Sequence, residues 1–220
     1  MNKYFFLTFW LLAAAARAAL SDAEIRDTYH QSYRYEKSQN YTDAIRALAP
    51  VIEAYPQGYT VNLRLGWLNY LKGAHATARA HYEAAIKIMP DSIEARLGHL
   101  LPLLAQERYT DAEAVARAVI RVDPANYYAN LRLAFALRMQ QKYDAAEDIV
   151  IRQLGYYPTD VSLLTEWGLI KTAKHLPAER IFNDVLTLDP ENVTAKAQLS
   201  RGATNATTIL SPSPAANKKP

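Results

Sequence analysis

Five histidines are the candidates for imidazole chemistry in this chain of 220 residues, and His30, His75, His81, His99 and His175 are scattered, with no H-E-x-x-H or similar ligand pair among them. The absence of cysteine excludes thiolate metal sites, cysteine nucleophiles and disulfide scaffolds. The seven glycines form no phosphate-cradling loop, and no G-x-S-x-G turn presents a serine. Acidic neighbours such as Asp111 with Glu113, or Glu147 with Asp148, fall near expected helix starts, where a favourable interaction with the helix dipole accounts for them. The sequence therefore predicts no enzyme, no cofactor and no metal site. It does contain two near-copies of one segment, Asn62-Leu63-Arg64-Leu65-Gly66-Trp67 and Asn130-Leu131-Arg132-Leu133-Ala134-Phe135. On a helix each puts an arginine one turn before a large aromatic ring on one face, a pairing suited to stacking and to hydrogen bonding a polar chain. Divergence from a common repeat would produce the same echo without a binding role.

Both segments belong to a longer period. Pro56, Pro90, Pro124 and Pro158 follow one another at a constant step of 34 in the numbering, and Pro190 comes 32 later. The two echoed segments lie two such steps apart. At a proline frequency near 5%, three further prolines at fixed steps arise by chance about once in ten thousand trials. Ala44, Ala78, Ala112 and Ala146 keep the same step, with Ala178 again 32 further on. Between these landmarks apolar residues recur at helical spacing, as in Leu63, Leu65 and Leu68 or Tyr82, Ala85 and Ile86, and strand alternation is absent. The pattern breaks at Gln39-Asn40, Lys72-Gly73, Gln106-Glu107, Gln140-Gln141 and Lys174-His175, which places a turn between two helices in each unit. The prolines then fall after the second helix, where no needed amide hydrogen is lost.

This pattern resembles the tetratricopeptide repeat family, whose unit has a small-residue pair in its first helix, an Ala early in the second, a bulky residue after it and a closing Pro. Leu65-Gly66, Ala78, Tyr82, Ala85 and Pro90 carry it in the second unit, Leu133-Ala134, Ala146, Val150 and Pro158 in the fourth, and Trp167-Gly168, Ala178, Phe182, Val185 and Pro190 in the fifth. The first unit keeps Tyr35, Ala44, Leu48 and Pro56 with Gln31-Ser32 in the small-residue place. The third departs most, with Gly98 early and Pro102 inside its first helix, which argues against a straight helix there.

The resemblance covers about 25–191. It implies an all-α fold, a right-handed superhelical solenoid of about five helix-turn-helix repeats at 25–58, 59–92, 93–126, 127–160 and 161–192, closed by a C-terminal capping helix over 193–201 that uses Val193, Ala197 and Leu199. It also implies a concave groove lined by one stripe of each first helix. Carried over residue by residue, that stripe gives Tyr29, Tyr33, Arg64, Trp67, Tyr70, Leu101, Tyr128, Arg132, Phe135 and Arg138 as partner-binding residues, ending in the smaller Thr165, Leu169 and Thr172. Leu63, Leu97 and Leu131 lie on the same stripe and are read as inter-repeat packing. The family's carboxylate clamp, built from Lys and Asn in the first two grooves, is not met, because Tyr29, Tyr33 and Arg64 hold those places, with Glu94 in the third.

Lys3, an apolar run over 4–16 and Ala16-Arg17-Ala18 make up a secretory signal expected to span 1–19. That run is shorter than the roughly 20 apolar residues that cross a bilayer, so no membrane span is expected after cleavage. Ser21-Asp22-Ala23-Glu24 fits a capping box at the start of the first helix. Residues 202–220 are rich in Thr, Ser, Asn, Ala and Pro and are expected to be disordered. Without Lys3 and Arg17, the 25 basic residues fall to 23 against 22 acidic ones, a net charge of +1 that gives no electrostatic reason for a nucleic-acid partner. The expectation is an exported, periplasmic or cell-envelope protein: a non-catalytic protein–protein interaction scaffold whose groove takes an extended peptide or a helix. The alternative is a carbohydrate-binding module for exopolysaccharide or peptidoglycan, with Trp67, Tyr70 and Phe135 stacking on sugar rings. Salt separates the two, since arginine-led binding of an acidic peptide weakens with ionic strength and stacking on a neutral glycan does not.

Overall fold

The computed structural model describes residues 20–210, so the signal expected over 1–19 and the last ten residues lie outside the described residues. Within them the chain forms twelve helices and no strand. Helix α1 (Asp22–Lys37) opens with the capping box: the Glu24 amide donates to Ser21 Oγ at 3.3 Å and the Ser21 amide donates to Glu24 Oε2 at 2.8 Å. Its partner comes in two pieces, α2 (Tyr41–Ala47) and α3 (Ala49–Ala54), because Pro50 lacks the amide hydrogen and crowds the preceding turn. Then follow the pairs α4 (Tyr59–Leu71) and α5 (His75–Ile88), α6 (Ile93–Ala105) and α7 (Tyr109–Val122), α8 (Tyr127–Met139) and α9 (Tyr143–Leu154), and α10 (Val161–Ala173) and α11 (Glu179–Leu188). The main contacts join helices one or two places apart in the chain, as stacking of repeats requires.

Every turn read from the sequence has the same geometry. Gln39, Gly73, Glu107, Gln141 and His175, which follow one another at the constant step of the repeat, take φ values of 58°, 82°, 56°, 62° and 57°. This left-handed residue ends the first helix of each unit and reverses the chain. Gly73 alone adopts it without a steric penalty.

Close approach of the two helices depends on complementary volumes. Tyr82 of α5 lies against Gly66 and Gly98, where an added Cβ would stand 3.0 Å and 2.2 Å from its ring. Phe182 of α11 fills the space beside Gly168 in the same way, at 2.6 Å. In the fourth repeat the equivalent pair is Ala134 with Val150, and in the third it is inverted to Leu100 with Ala116, all four fully buried. The third repeat's departure therefore preserves the volume of the joint.

Two expectations are corrected. Helix α6 runs unbroken through Pro102, since buried Leu100, Pro102 and Leu103 anchor the turn that the missing amide weakens. Helix α12 (Val193–Leu210) extends past Arg201, where the capping helix was expected to end. The first residue after it without an amide hydrogen is Pro212. Ala195 of α12 is fully buried, and Leu199 packs with Phe182 and Val185 over the end of the last repeat.

Two sets of hydrogen bonds fix how one repeat leads to the next. Asn62 Nδ2 donates to the carbonyls of Pro56 and Gly58 at 3.0 and 2.9 Å, and Asn130 Nδ2 does the same to Pro124 and Asn126. The Tyr59 hydroxyl bonds Ser92 Oγ at 2.7 Å, and Tyr127 donates to Asp160 at 3.0 Å. Ser92 and Asp160 cap the next first helix. The first residue of the echoed segment thus locks a loop.

Candidate functional site

The first helices α1, α4, α6 and α8 stand side by side and enclose a groove of about 610 Å³. It gathers seven of the ten expected residues: Tyr29, Tyr33, Arg64, Trp67, Leu101, Tyr128 and Arg132. Phe135 lines an adjoining cavity of about 370 Å³ with Leu104, Leu131, Thr165 and Glu166, and Arg132 borders both spaces. Tyr70 and Arg138 lie outside both linings: the Tyr70 ring lies tilted beside Trp67, 5.9 Å between centroids, and the Arg138 guanidinium lies 5.2 Å from the Phe135 ring. Leu63 and Leu97, read as packing residues, are half-buried and line the groove, as Leu131 lines the second cavity.

Sequence reasoning missed Glu36 and Tyr59, which also face the groove, as does Glu94. Glu36 holds one end of it together. Its carboxylate accepts from Arg64 Nη1 at 2.5 Å and from Trp67 Nε1 at 2.6 Å, while Arg64 Nη2 donates to the buried Ser32 hydroxyl at 3.2 Å. The Arg64 guanidinium also stacks 3.8 Å above Tyr33. Only 7% of its side chain is exposed, so Arg64 braces α4 against α1 and is not free for a ligand. Trp67, at 36% exposure, keeps its ring surface open to the groove.

The interval of 28 between Glu36 and Arg64 recurs at the joint between α8 and α10. Arg138 and Glu166 occupy the same two places with the charges exchanged, joined at 2.6 and 3.2 Å. Of the two joints between them, the α4–α6 joint has Tyr70 and Gly98 in these places and the α6–α8 joint has Leu104 and Arg132. Leucine offers no carboxylate, and Arg132 instead donates Nη1 to the Leu97 carbonyl at 2.9 Å and faces the Tyr128 ring at 5.4 Å. No acidic side chain pairs with it among the described residues. Burial pushes its pKa down, against the smaller opposing effect of the tyrosine hydroxyls of Tyr70, Tyr128 and Tyr82. The interval is present in the sequence, but it becomes visible only when the first helices are aligned.

Among the described residues no group of three or more His, Cys, Asp or Glu could hold a metal ion, and no helix is long and apolar enough to cross a membrane.

Two models of the tetratricopeptide repeat match residues 29–93 and 103–164, together more than half of the sequence. The chain belongs to the tetratricopeptide repeat family. No curated protein matches it. Among solved structures it is similar to MamA from Desulfovibrio magneticus RS-1, at 18% identity and a TM-score of 0.71, over 80% of this chain and 99% of that one. It is also similar to a tetratricopeptide repeat protein of Thermus thermophilus, at 12% identity and a TM-score of 0.63, over 81% of this chain and 98% of the other. The third likeness is to YrrB, described as a tetratricopeptide repeat protein with an unusual peptide-binding site, at 12% identity and a TM-score of 0.66, over 81% and 94% of the two chains. At these identities the likeness is one of fold. Membership of the tetratricopeptide repeat family makes the chain a protein–protein interaction scaffold.

Proposed function

We propose that this scaffold is exported and holds an extended segment of a partner protein in the groove, with an acidic group of that segment against Arg132. The observation that carries the reading is the partly buried guanidinium of Arg132, which opens onto the groove without the carboxylate that the corresponding places supply at the α1–α4 and α8–α10 joints. A desolvated cation without a counter-charge is costly, and a ligand carboxylate removes that cost by a charge-assisted hydrogen bond. Tyr29, Tyr33, Trp67 and Tyr128 supply flat surfaces for the rest of the segment. The description of YrrB as peptide-binding supports a peptide in preference to a sugar. Export rests on the charged start, apolar run and A-x-A-like site of residues 1–19.

The test is selection from a displayed random-peptide library, followed by affinity measurement on the selected peptides at two ionic strengths. Peptides with Asp or Glu beside an aromatic residue should be enriched and should lose about tenfold or more in affinity on Arg132→Gln, with melting nearly unchanged. Leu104→Glu should give Arg132 the partner that Arg64 already has and compete with the peptide. Enrichment without acidic residues, or equal binding by Arg132→Gln, would overturn the assignment. Salt-independent retention of a neutral glycan would favour the carbohydrate reading. Retention of Met1 in protein from its native host, read by intact mass, would refute export.

A further inference from the structure

A third cavity, of about 390 Å³, lies away from the groove in the corner formed by α7, α8 and α9. Arg117 and Arg121 reach it from α7 and Arg152 from α9, while Ile120, Ile149 and Leu133 form its floor. Arg117 is shared with Glu113, its Nε 2.9 Å from the carboxylate. Glu113 is also bound by Lys142 at 2.7 Å and by Gln140, so its charge is already balanced. Arg121 and Arg152 have no acidic partner among the described residues, which leaves two uncompensated positive charges at one concave apolar site. Asn130 contributes a carbonyl oxygen, its amide nitrogen being engaged by the loop.

The repeat scaffold does not demand these arginines. In the same corner two repeats earlier, the equivalents of Arg117, Arg121 and Arg152 are Ala49, Glu53 and Ala84, and the equivalent of Ile149 is His81. There His81 Nδ1 bonds Asn62 Oδ1 at 3.0 Å and occupies the space that is open beside Asn130. The fourth repeat thus has the same loop lock, an emptied corner and three guanidinium groups at its edge.

We propose that this corner binds a small organic phosphate monoester, its phosphate held by Arg117, Arg121 and Arg152 and its apolar part lying on Ile120 and Ile149. The two unpaired charges match a dianion, guanidinium forks suit phosphate oxygens, and the volume lies within the range of small-molecule sites. No bond is made or broken. The site shares no lining residue with the groove, so its ligand would be read independently of the peptide.

The test is calorimetric titration of the full chain with phenyl phosphate in low-salt buffer, with benzoate, inorganic phosphate and vesicles containing phosphatidic acid as comparison ligands. Phenyl phosphate should bind saturably, about tenfold or more tighter than benzoate, which has the same ring and a single charge, and tighter than inorganic phosphate, which lacks the ring. Arg121→Ala and Arg152→Ala should each weaken it about fivefold or more, and the double variant should abolish it, while melting stays unchanged because both side chains are exposed. Arg132→Gln should leave it unaffected. Binding of phenyl phosphate no tighter than benzoate, survival of binding in the double variant, or binding only to the vesicles would overturn the proposal.

Discussion

Gly168→Ala puts the complementary-volume joint to a direct test. On a helix the change from Gly to Ala is worth about 1 kcal/mol in favour of Ala. The structure opposes it: the added Cβ would stand 2.6, 2.8 and 3.1 Å from three atoms of the Phe182 ring, where ordinary contact begins at 3.4 Å. The ring would have to retreat by about 0.8 Å, and at 2% exposure, packed against Leu164, Ala178 and Val185, it has nowhere to go. Overpacking of this kind costs about 1–3 kcal/mol, and a 2.6 Å contact with a ring that cannot retreat takes the upper part of that range, about 2–3, so the net effect expected is a loss of about 1–2 kcal/mol despite the better helix former. Phe182→Val alone should cost about 2–3 kcal/mol by opening a cavity. Together the two substitutions recreate the Ala134–Val150 pair of the fourth repeat, and the double variant should be more stable than the sum of the single effects by about 1 kcal/mol or more. Urea unfolding followed by far-ultraviolet circular dichroism measures this, fitted with a nearest-neighbour scheme because repeats do not unfold as one unit. A neutral Gly168→Ala, or strictly additive effects in the double variant, would refute the reasoning.

Gly73→Ala should lower stability by about 1 kcal/mol although its Cβ would meet nothing within 4 Å, since φ is 82° there; the same urea titration reads it, and Gly73→Asn should lose less. Arg64→Ala should cost about 2–4 kcal/mol in that assay by leaving the Glu36 carboxylate and Ser32 uncompensated, whereas Arg132→Gln should cost under about 1 kcal/mol; equal losses would contradict the distinction drawn between them. Burial raises the pKa of Glu147, but hydrogen bonds from Lys171, Lys174 and Trp167 outweigh it and hold the carboxylate down at about 2. A folded value below the ordinary 4.5 stabilises the fold above about pH 4.5 and is lost as the pH falls toward 2, so Glu147→Gln should flatten that part of the acid unfolding curve by on the order of 1–2 kcal/mol.

The repeat lengths, the five turns and the helix pairs were legible because they depend on residues close in sequence: a small residue at a crossing, a proline after a helix, a polar break at a fixed interval from the last. Three features were not, each for a physical reason. Pro50 splits the first unit's second helix because it falls mid-helix, where the closing prolines of the period do not. Helix α12 continues beyond Arg201 because a stretch poor in large apolar residues still has its amide hydrogens as far as Leu210. The Glu36–Arg64 and Arg138–Glu166 ties join neighbouring repeats, so no periodicity within one helix announces them.

The two echoed segments separate scaffold from site. Asn62 and Asn130 make the same loop bonds, and Leu65 and Leu133 are buried alike, so conformational demands alone explain why those letters recur two repeats apart. Arg64 and Arg132 share a register and differ in everything they touch. The difference arises one helix away, at Glu36 and Leu104, and it turns a closed ion pair into an unfilled one. The same logic applies behind α8, where Ile149 replaces the histidine that closes the earlier corner and arginines stand where the earlier repeat has alanine and glutamate. A solenoid is stable as a sum of similar joints, so a joint that forgoes an available pairing loses stability without a gain in fold. Positions where the register predicts a partner and the chain withholds it are therefore where ligand chemistry is to be sought, and Arg132 and the Arg121–Arg152 corner both meet that criterion.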